Sequence, residues 1–290
     1  MTPSRDDPLA ARLSAVLDAD VVRLARVGGG DVADARRVEL ADGRTLFAKT
    51  HRDPPPRFFH TEADGLRWMA EAGALAVADV VAVEESLLVL GWIDEGRPTA
   101  GTEPDLGRGL ARLHRAGAPS FGREDRRTTG SRALPNDPCA TWAEGYATNR
   151  LLPLARLAAD GAALPSSAVA RLESVAGRLD GVGAADERPA RLHGDLWAGN
   201  RLVDTDGRSW LIDPAAHGGH REFDLAMMQL FGGFSPECFD AYDEEFPLAE
   251  GWRDRVPLHQ LAPLAVHAIK FGGSYAAATE RALDAAERVL

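Results

Sequence analysis

The chain has 290 residues, 45% hydrophobic and 27% charged, which is too apolar for a disordered chain and long enough for two modest cores or one large one. Its net charge of -11 argues against a general nucleic-acid binder, because such proteins set a basic face against phosphates. Acidic Asp6 and Asp7 stand where a signal peptide would be apolar, and the most apolar stretch, 73–83, is short and interrupted by Asp79. The expectation is a cytoplasmic protein with no membrane span. Cys139 and Cys238 lie far apart without a CxxC pair, so neither a disulfide framework nor a zinc site is indicated. Lysine occurs only at positions 49 and 270, so nearly all positive charge is arginine and a lysine is a rare choice.

Asp7-Pro8 offers an N-cap and first-turn pair, and Leu9, Leu13, Val16 and Leu17 follow at helical spacing. The pattern then turns to β over 21–27, breaks at Gly28-Gly29-Gly30, and resumes over 36–40 and 45–50 around an Asp42-Gly43 turn, a small antiparallel meander. Residues 57–71 read as a helix, and strands follow at 80–83 and 87–92. Beyond Ile93 the composition shifts to Ala, Leu and Arg with helical periodicity. That places a β-rich unit at 1–92 and a larger, mainly helical unit at 93–290. The polar stretch 118–138 reads as a long loop, either a lid or an insertion. Helices are expected over 140–157 and 166–179, then a β-hairpin, then helices again from Glu222 to the end.

The hairpin carries the chemistry. If Asp206-Gly207 forms a two-residue turn, residues whose numbers sum to 413 face each other, and Asn200 and Asp213 satisfy that sum. Their oxygens, on Cβ atoms roughly 4.5–5.5 Å apart, could converge on one Mg²⁺. Asp195 precedes Asn200 by the Asp-x4-Asn interval of kinase catalytic loops, in which the Asp accepts the proton of the substrate hydroxyl. Lys49 ends the third strand and Glu62 follows on the next helix, which suits the pair that aims a lysine at nucleotide phosphates; Asp64 and Glu71 are alternatives to Glu62. Gly28, Gly29 and Gly30 could let backbone N–H groups approach phosphates, although a glycine run is more often a plain turn.

Leu192-His193-Gly194-Asp195-Leu196-Trp197-Ala198-Gly199-Asn200, then Ile212-Asp213-Pro214, Gly219-His220-Arg221-Glu222-Phe223-Asp224-Leu225-Ala226-Met227 and the tail Phe271-Gly272-Gly273-Ser274-Tyr275, closely resemble the fructosamine kinase (ketosamine-3-kinase) family, within the aminoglycoside phosphotransferase and choline kinase-like superfamily. The resemblance implies an α+β, bilobal protein-kinase-like fold and ATP- and Mg²⁺-dependent phosphorylation of the sugar 3-hydroxyl of a ketosamine, a deglycation reaction on a small-molecule or glycated-amine acceptor. Carried over by position, Asp195 matches the base, Asn200 and Asp213 the metal ligands, Lys49 and Glu62 the phosphate-positioning pair, and Gly91 to Ile93 the hinge that pairs with adenine. Trp197 matches an aromatic that packs on the sugar, and His267 a histidine near the acceptor. By the same token Asp224 braces the catalytic loop and His193 is scaffold. Rival readings are another acceptor, such as an aminoglycoside, choline or other amino alcohol; a metal phosphoesterase built from His193, Asp195, Asp213, His217 and His220; and a non-catalytic pseudokinase.

Overall fold

Asp7 caps the first helix, α1 (Pro8–Leu17): its carboxylate accepts from the Leu9 N–H at 3.0 Å, and Pro8 fills a first-turn position that needs no N–H. The computed structural model describes residues 7–28, 33–123, 128–129 and 134–290. After α1 come β1 (Val21–Arg26), β2 (Asp34–Leu40), β3 (Thr45–Thr50), α2 (Phe58–Ala70), β4 (Ala76–Val77), β5 (Val80–Glu84) and β6 (Leu87–Gly91). All of these strands except β4 form an antiparallel sheet in the order β1-β2-β3-β6-β5.

Strand periodicity sorts the side chains of this sheet between two helices. Leu46, Ala48, Leu87 and Val89 pack with Leu13 and Leu17 of α1, whereas Phe47, Leu88 and Leu90 join Phe59, Ala63, Leu66 and Met69 of α2. Lys49 lies opposite Leu88 in the ladder and two residues from Phe47, so it shares the α2 face. That parity is why a lysine on β3 can meet a carboxylate on α2.

The second half holds α3 (Thr102–Arg115), β7 (Thr128–Thr129) and β8 (Leu134–Pro135). Next, α4 (Trp142–Tyr146) runs through a π-turn at Ala147–Leu151 into α5 (Leu152–Asp160), and α6 (Ser166–Ala176) follows. Four short strands frame the motif region, β9 (Ala190–Leu192), β10 (Arg201–Val203), β11 (Ser209–Leu211) and β12 (His217–Gly219). The chain closes with α7 (Glu222–Phe231), α8 (Pro236–Glu245), α9 (Trp252–Phe271) and α10 (Ser274–Ala286). Pro263 inside α9 removes one helical N–H and strands the His259 carbonyl; the Tyr146 hydroxyl lies 3.2 Å from that oxygen and 2.8 Å from its Leu258 neighbour. No helix among the described residues is long and apolar enough to cross a membrane.

The motif hairpin is tied to the first half of the chain. Leu211 of β11 pairs in parallel with Val77 of β4, and one core contains Phe59, Leu66 and Leu88 together with Leu110, Leu196, Leu211 and Tyr242. The linker after β6 joins in: the Gly96 N–H donates to the Val203 carbonyl at 2.8 Å, and the Thr102 hydroxyl donates to the Gly207 carbonyl at 2.6 Å.

The hairpin register differs from the sequence expectation. Arg201 faces Leu211, Leu202 faces Trp210 and Val203 faces Ser209, so facing residue numbers sum to 412 rather than 413. The turn is one residue longer because the Gly207 N–H bonds back to the Asp204 carbonyl, with Gly207 at φ +80°, while the Asp204 carboxylate accepts from the Asp206 and Arg208 N–H groups. A three-residue loop of this kind is the next commonest after the two-residue one. Asn200 therefore stands against Ile212, whose N–H donates to its carbonyl at 3.1 Å, and not against Asp213.

A buried charge cluster fastens α7 to α9. Arg255 grips Glu222 through two hydrogen bonds of 3.0 and 2.6 Å, and His259 Nε2 lies 3.4 Å from the same carboxylate. Ligand atoms of His220, Glu222 and His259 lie within 4.8 Å of one another. Arg255 already neutralises Glu222, however, and His220 commits both ring nitrogens to backbone groups of Ala184 and Glu222. Burial first, then the neighbouring His259, push His220 down to about 4 from 6.5. Burial alone would raise Glu222, but the nearby His259 and the two bonds from Arg255 outweigh that and hold it at about 2. Neutral His220 thus contributes stability that is fully present above about 6.5 and is lost as pH falls toward about 4, on the order of 3 kcal/mol. Glu222 adds a loss only at still lower pH. Melting temperature should fall between pH 7 and 4.5, and His220→Gln should remove most of that slope; parallel slopes for the two proteins would reject the assignment.

Candidate active site

The segment between β9 and β10 is held from below by Asp224, in the first turn of α7. Its carboxylate accepts from the His193 N–H at 2.7 Å and the Gly194 N–H at 2.9 Å, and meets His114 Nε2 at 3.2 Å. Burial acts to raise the Asp224 pKa, but the bond to His114, the charges of His114 and His193 and the backbone N–H bond to Gly194 keep it below the ordinary carboxylate value. His193 accepts from the Asp195 N–H through Nδ1 and bonds the Ile212 carbonyl through Nε2, which joins the loop to the strand leading to Asp213. The expected brace and scaffold are both present.

Asn200 ends a single 3₁₀ turn and folds back over the loop. Its Nδ2 donates to the Asp195 carbonyl at 2.8 Å and the Asp195 carboxylate at 3.1 Å, and lies 3.5 Å from the Asp213 carbonyl. These bonds orient Asp195 and leave Asn200 Oδ1 as the remaining acceptor. Burial raises the Asp195 pKa, opposed by His193, the Asn200 bond and His267, with Asp213 adding to the rise. A carboxylate made more basic in this way is better matched to accepting a hydroxyl proton.

Asn200 comes near Asp213 only at its backbone, where the Asp213 carbonyl lies 3.5 Å from Asn200 Nδ2, and the expected ladder register does not hold. Asp213 adopts a left-handed backbone, φ 53°, at a cost of roughly 1–2 kcal/mol. The Asp213 carboxylate pairs with the Lys49 ammonium, which also bonds Glu62 at 2.8 Å. Burial would depress the Lys49 pKa, but the two carboxylates outweigh it and hold the amine charged. Of the three carboxylates considered for Lys49, Glu62 is the one that reaches it: Asp64 pairs with Arg57 and Arg67, and Glu71 lies 3.8 Å from Arg191. Burial pushes Glu62 up to about 7, with Lys49 opposing and Asp213 reinforcing the rise. Asn200 Oδ1 and the Asp213 carboxylate are hard oxygen donors of the kind Mg²⁺ takes.

Trp197 is 41% exposed, and its indole lies over Gly199, where an added Cβ would come within 2.2 Å of the ring. Phe231 at the end of α7 links it to His267: the Phe231 ring is 6.2 Å from Trp197 and 5.0 Å from His267. Phe271 and Tyr275 extend the group at 5.5 and 5.0 Å from His267. Sequence reasoning assigned no role to Phe231, Phe271 or Tyr275. A usable signal was present, since Phe-Gly-Gly occurs at both 231–233 and 271–273, each ending a helix.

At Gly91, one of the residues expected to pair with adenine, the N–H donates to the Asp79 carbonyl at 2.9 Å, which leaves the carbonyl as the group Gly91 can offer. Ile93 follows the end of β6 and packs against the core shared by the two halves. Gly28 has open space around its Cα, while Gly29 and Gly30 lie outside the described residues. A phosphoesterase centre does not form from this set: His193 and His220 each spend both ring nitrogens on backbone groups, those of Ile212 and Asp195 and of Ala184 and Glu222, so neither keeps a nitrogen for a metal.

Aminoglycoside phosphotransferase and choline kinase-family structures, 14–18% identical with TM-scores of 0.60–0.65, share the fold alone. The protein is an ATP-dependent kinase of the bilobal, protein-kinase-like α+β class. Within that class the chain belongs to the fructosamine kinase family, whose family model matches residues 9–288. A crystal structure of a candidate fructosamine-3-kinase from Thermobifida fusca is 43% identical, with a TM-score of 0.91, over 97% of this chain and 99% of that one. The protein named probable ketoamine kinase of Enterococcus faecium is 35% identical over 89% of this chain and 93% of its own length. The chloroplastic protein-ribulosamine 3-kinase of Arabidopsis thaliana is 31% identical over 93% and 84%.

The stacking of Trp197 on Gly199 gives a direct check. Gly199→Ala should displace the indole and shift its fluorescence, and should raise the acceptor KM several-fold while the ATP KM stays within about twofold. An unchanged acceptor KM would show that the indole position does not matter to the acceptor.

Proposed function

We propose that this kinase transfers the γ-phosphoryl group of ATP to the sugar 3-hydroxyl of a ketosamine, a fructosamine or ribulosamine, and so acts in deglycation. The observation that carries the reading is the Asp195 carboxylate, fixed by Asn200 and made more basic by burial, two residues from the exposed indole of Trp197. In this reading residues 1–92 form the nucleotide-binding lobe and 93–290 the catalytic and acceptor lobe, in the cytoplasm. Gly91 and Ile93 offer backbone groups to adenine, Gly28, Gly29 and Gly30 offer backbone N–H groups to the phosphates, and Lys49, aimed by Glu62, contacts phosphate oxygens.

Phosphoryl transfer leaves the protein little covalent work, so orientation and charge neutralisation dominate. The acceptor oxygen forms a bond to Pγ as the bond from Pγ to the bridging oxygen breaks; its proton passes to Asp195, and ADP departs with the bridging oxygen. Asn200 and Asp213 would hold Mg²⁺, which neutralises phosphate charge when bound. Trp197 and His267 receive the sugar, the indole face lying against its C–H bonds.

Asp195→Asn should reduce turnover at least about a thousandfold while ATP affinity stays within about threefold, since the base acts mainly in the transition state. Trp197→Ala should raise the ketosamine KM more than the ATP KM. Both are read from ATP consumption with fructosamines, ribulosamines, aminoglycosides and choline as acceptors. Turnover confined to an aminoglycoside or choline would replace the ketosamine reading, and an active Asp195→Asn enzyme would remove the base.

A further inference from the structure

We propose that Arg191 is a positioning residue that locks α2, and with it Glu62, to the catalytic loop, so that α2 belongs mechanically to the catalytic half of the molecule. The inference rests on the roles given above to Lys49 and Glu62.

Arg191 lies in β9, two residues before His193, and its guanidinium serves two helix ends. At the C-terminus of α2, the Glu71, Ala72 and Gly73 N–H groups return to the carbonyls of Arg67, Met69 and Ala70. The Trp68 carbonyl is the one these bonds pass over, and Arg191 Nη1 donates to it. Nε of the same side chain donates at 3.3 Å to the carbonyl of Gly117, just past α3. Unpaired last-turn carbonyls are the groups a helix end must satisfy from outside. The guanidinium also stacks over the Trp68 indole, 4.6 Å from its centre; Arg123 stands over the same ring at 4.6 Å, and Glu71 lies 3.8 Å from Arg191.

Two further contacts tie the same helix down. Phe59, Ala63, Leu66 and Met69 of α2 share one core with Leu113, Leu196 and Leu211, and β4, just after α2, pairs with β11 of the motif hairpin. Glu62 lies six residues before Trp68, about 9 Å along the helix axis. A tilt at the Trp68 end therefore moves the carboxylate relative to Lys49. In kinases where this helix swings, breaking the lysine–glutamate pair turns activity off. Here the anchoring keeps the pair closed without a separate activating event.

The test is a double-mutant cycle on kcat/KM for ATP at saturating acceptor, with melting temperatures recorded alongside. Arg191→Ala should lower kcat/KM for ATP about tenfold and leave the acceptor KM within about twofold. Arg191→Lys, which keeps the charge but not the flat fork that caps and stacks, should recover little. In a Glu62→Gln background, Arg191→Ala should cost less than about twofold, because the pair it positions is already gone. If Arg191→Ala does not fold, Trp68→Leu takes its place in the cycle. Losses that multiply across the cycle, or an acceptor KM that rises as much as that for ATP, would overturn the role of Arg191 and leave the kinase reading intact. A Glu62→Gln enzyme with unaltered kcat/KM for ATP would instead overturn the Lys49–Glu62 assignment, and this inference with it.

Discussion

One ammonium group ties the halves of the molecule together at the site. Lys49, nearly buried on the inner face of the sheet, is shared between Glu62 on the neighbouring helix and Asp213, 164 residues further along the chain. Lys49 and Glu62 are both largely shielded from water, so removing either leaves an uncompensated charge, whereas the Asp213 side chain is 41% exposed and solvent screens its share of the pairing. The pairing therefore constrains where the strand, the helix and the end of the hairpin can sit relative to one another. It also accounts for the left-handed backbone of Asp213, which persists because its surroundings over-determine it.

The catalytic segment has hardly any regular structure of its own and is defined by what supports it. Asp224 satisfies two consecutive N–H groups, His193 bridges to the strand before Asp213, and Asn200 folds back on Asp195. Each supporting group is itself positioned by a core: Asp224 by α7, and Asn200 by a hairpin sewn to β4 and to the linker after β6. A site that depends on orientation rather than covalent chemistry needs this rigidity, since displacement of a reacting group by about 1 Å can cost a hundredfold in rate.

Around His267 the chain uses a different physical device. Trp197, Phe231, His267, Phe271 and Tyr275 form a connected aromatic group whose outer members stay exposed, with Trp197 41% and Phe271 53% accessible. Flat, polarisable faces suit the C–H surfaces of a sugar and the alkyl part of its amine. The surroundings of Lys49 and of His267 are thus built from different chemistry, paired charge at one and aromatic surface at the other.

Much of the fold was legible in the amino-acid sequence because local physics wrote it there. Asp7-Pro8 begins a helix, alternating apolar residues make the meander, and Lys49 stands out because lysine is so rarely used. Asp195, Asn200 and Asp213 stood out as a spaced set, and the resemblance to one enzyme family, to which the chain belongs, added Asp224. The hairpin register was not: Asp204 and Gly207 recruit one more residue into the turn, a choice that depends on hydrogen bonds no spacing rule encodes. Nor could spacing choose Glu62 over Asp64 and Glu71, for all three lie on or beside one helix and only packing decides which faces the strand. Sequence by itself determined which residue types the chemistry has to work with. Tertiary structure alone decided which of them meet, because a left-handed residue, a helix rotation and a shared core are properties of packing between segments far apart in the chain.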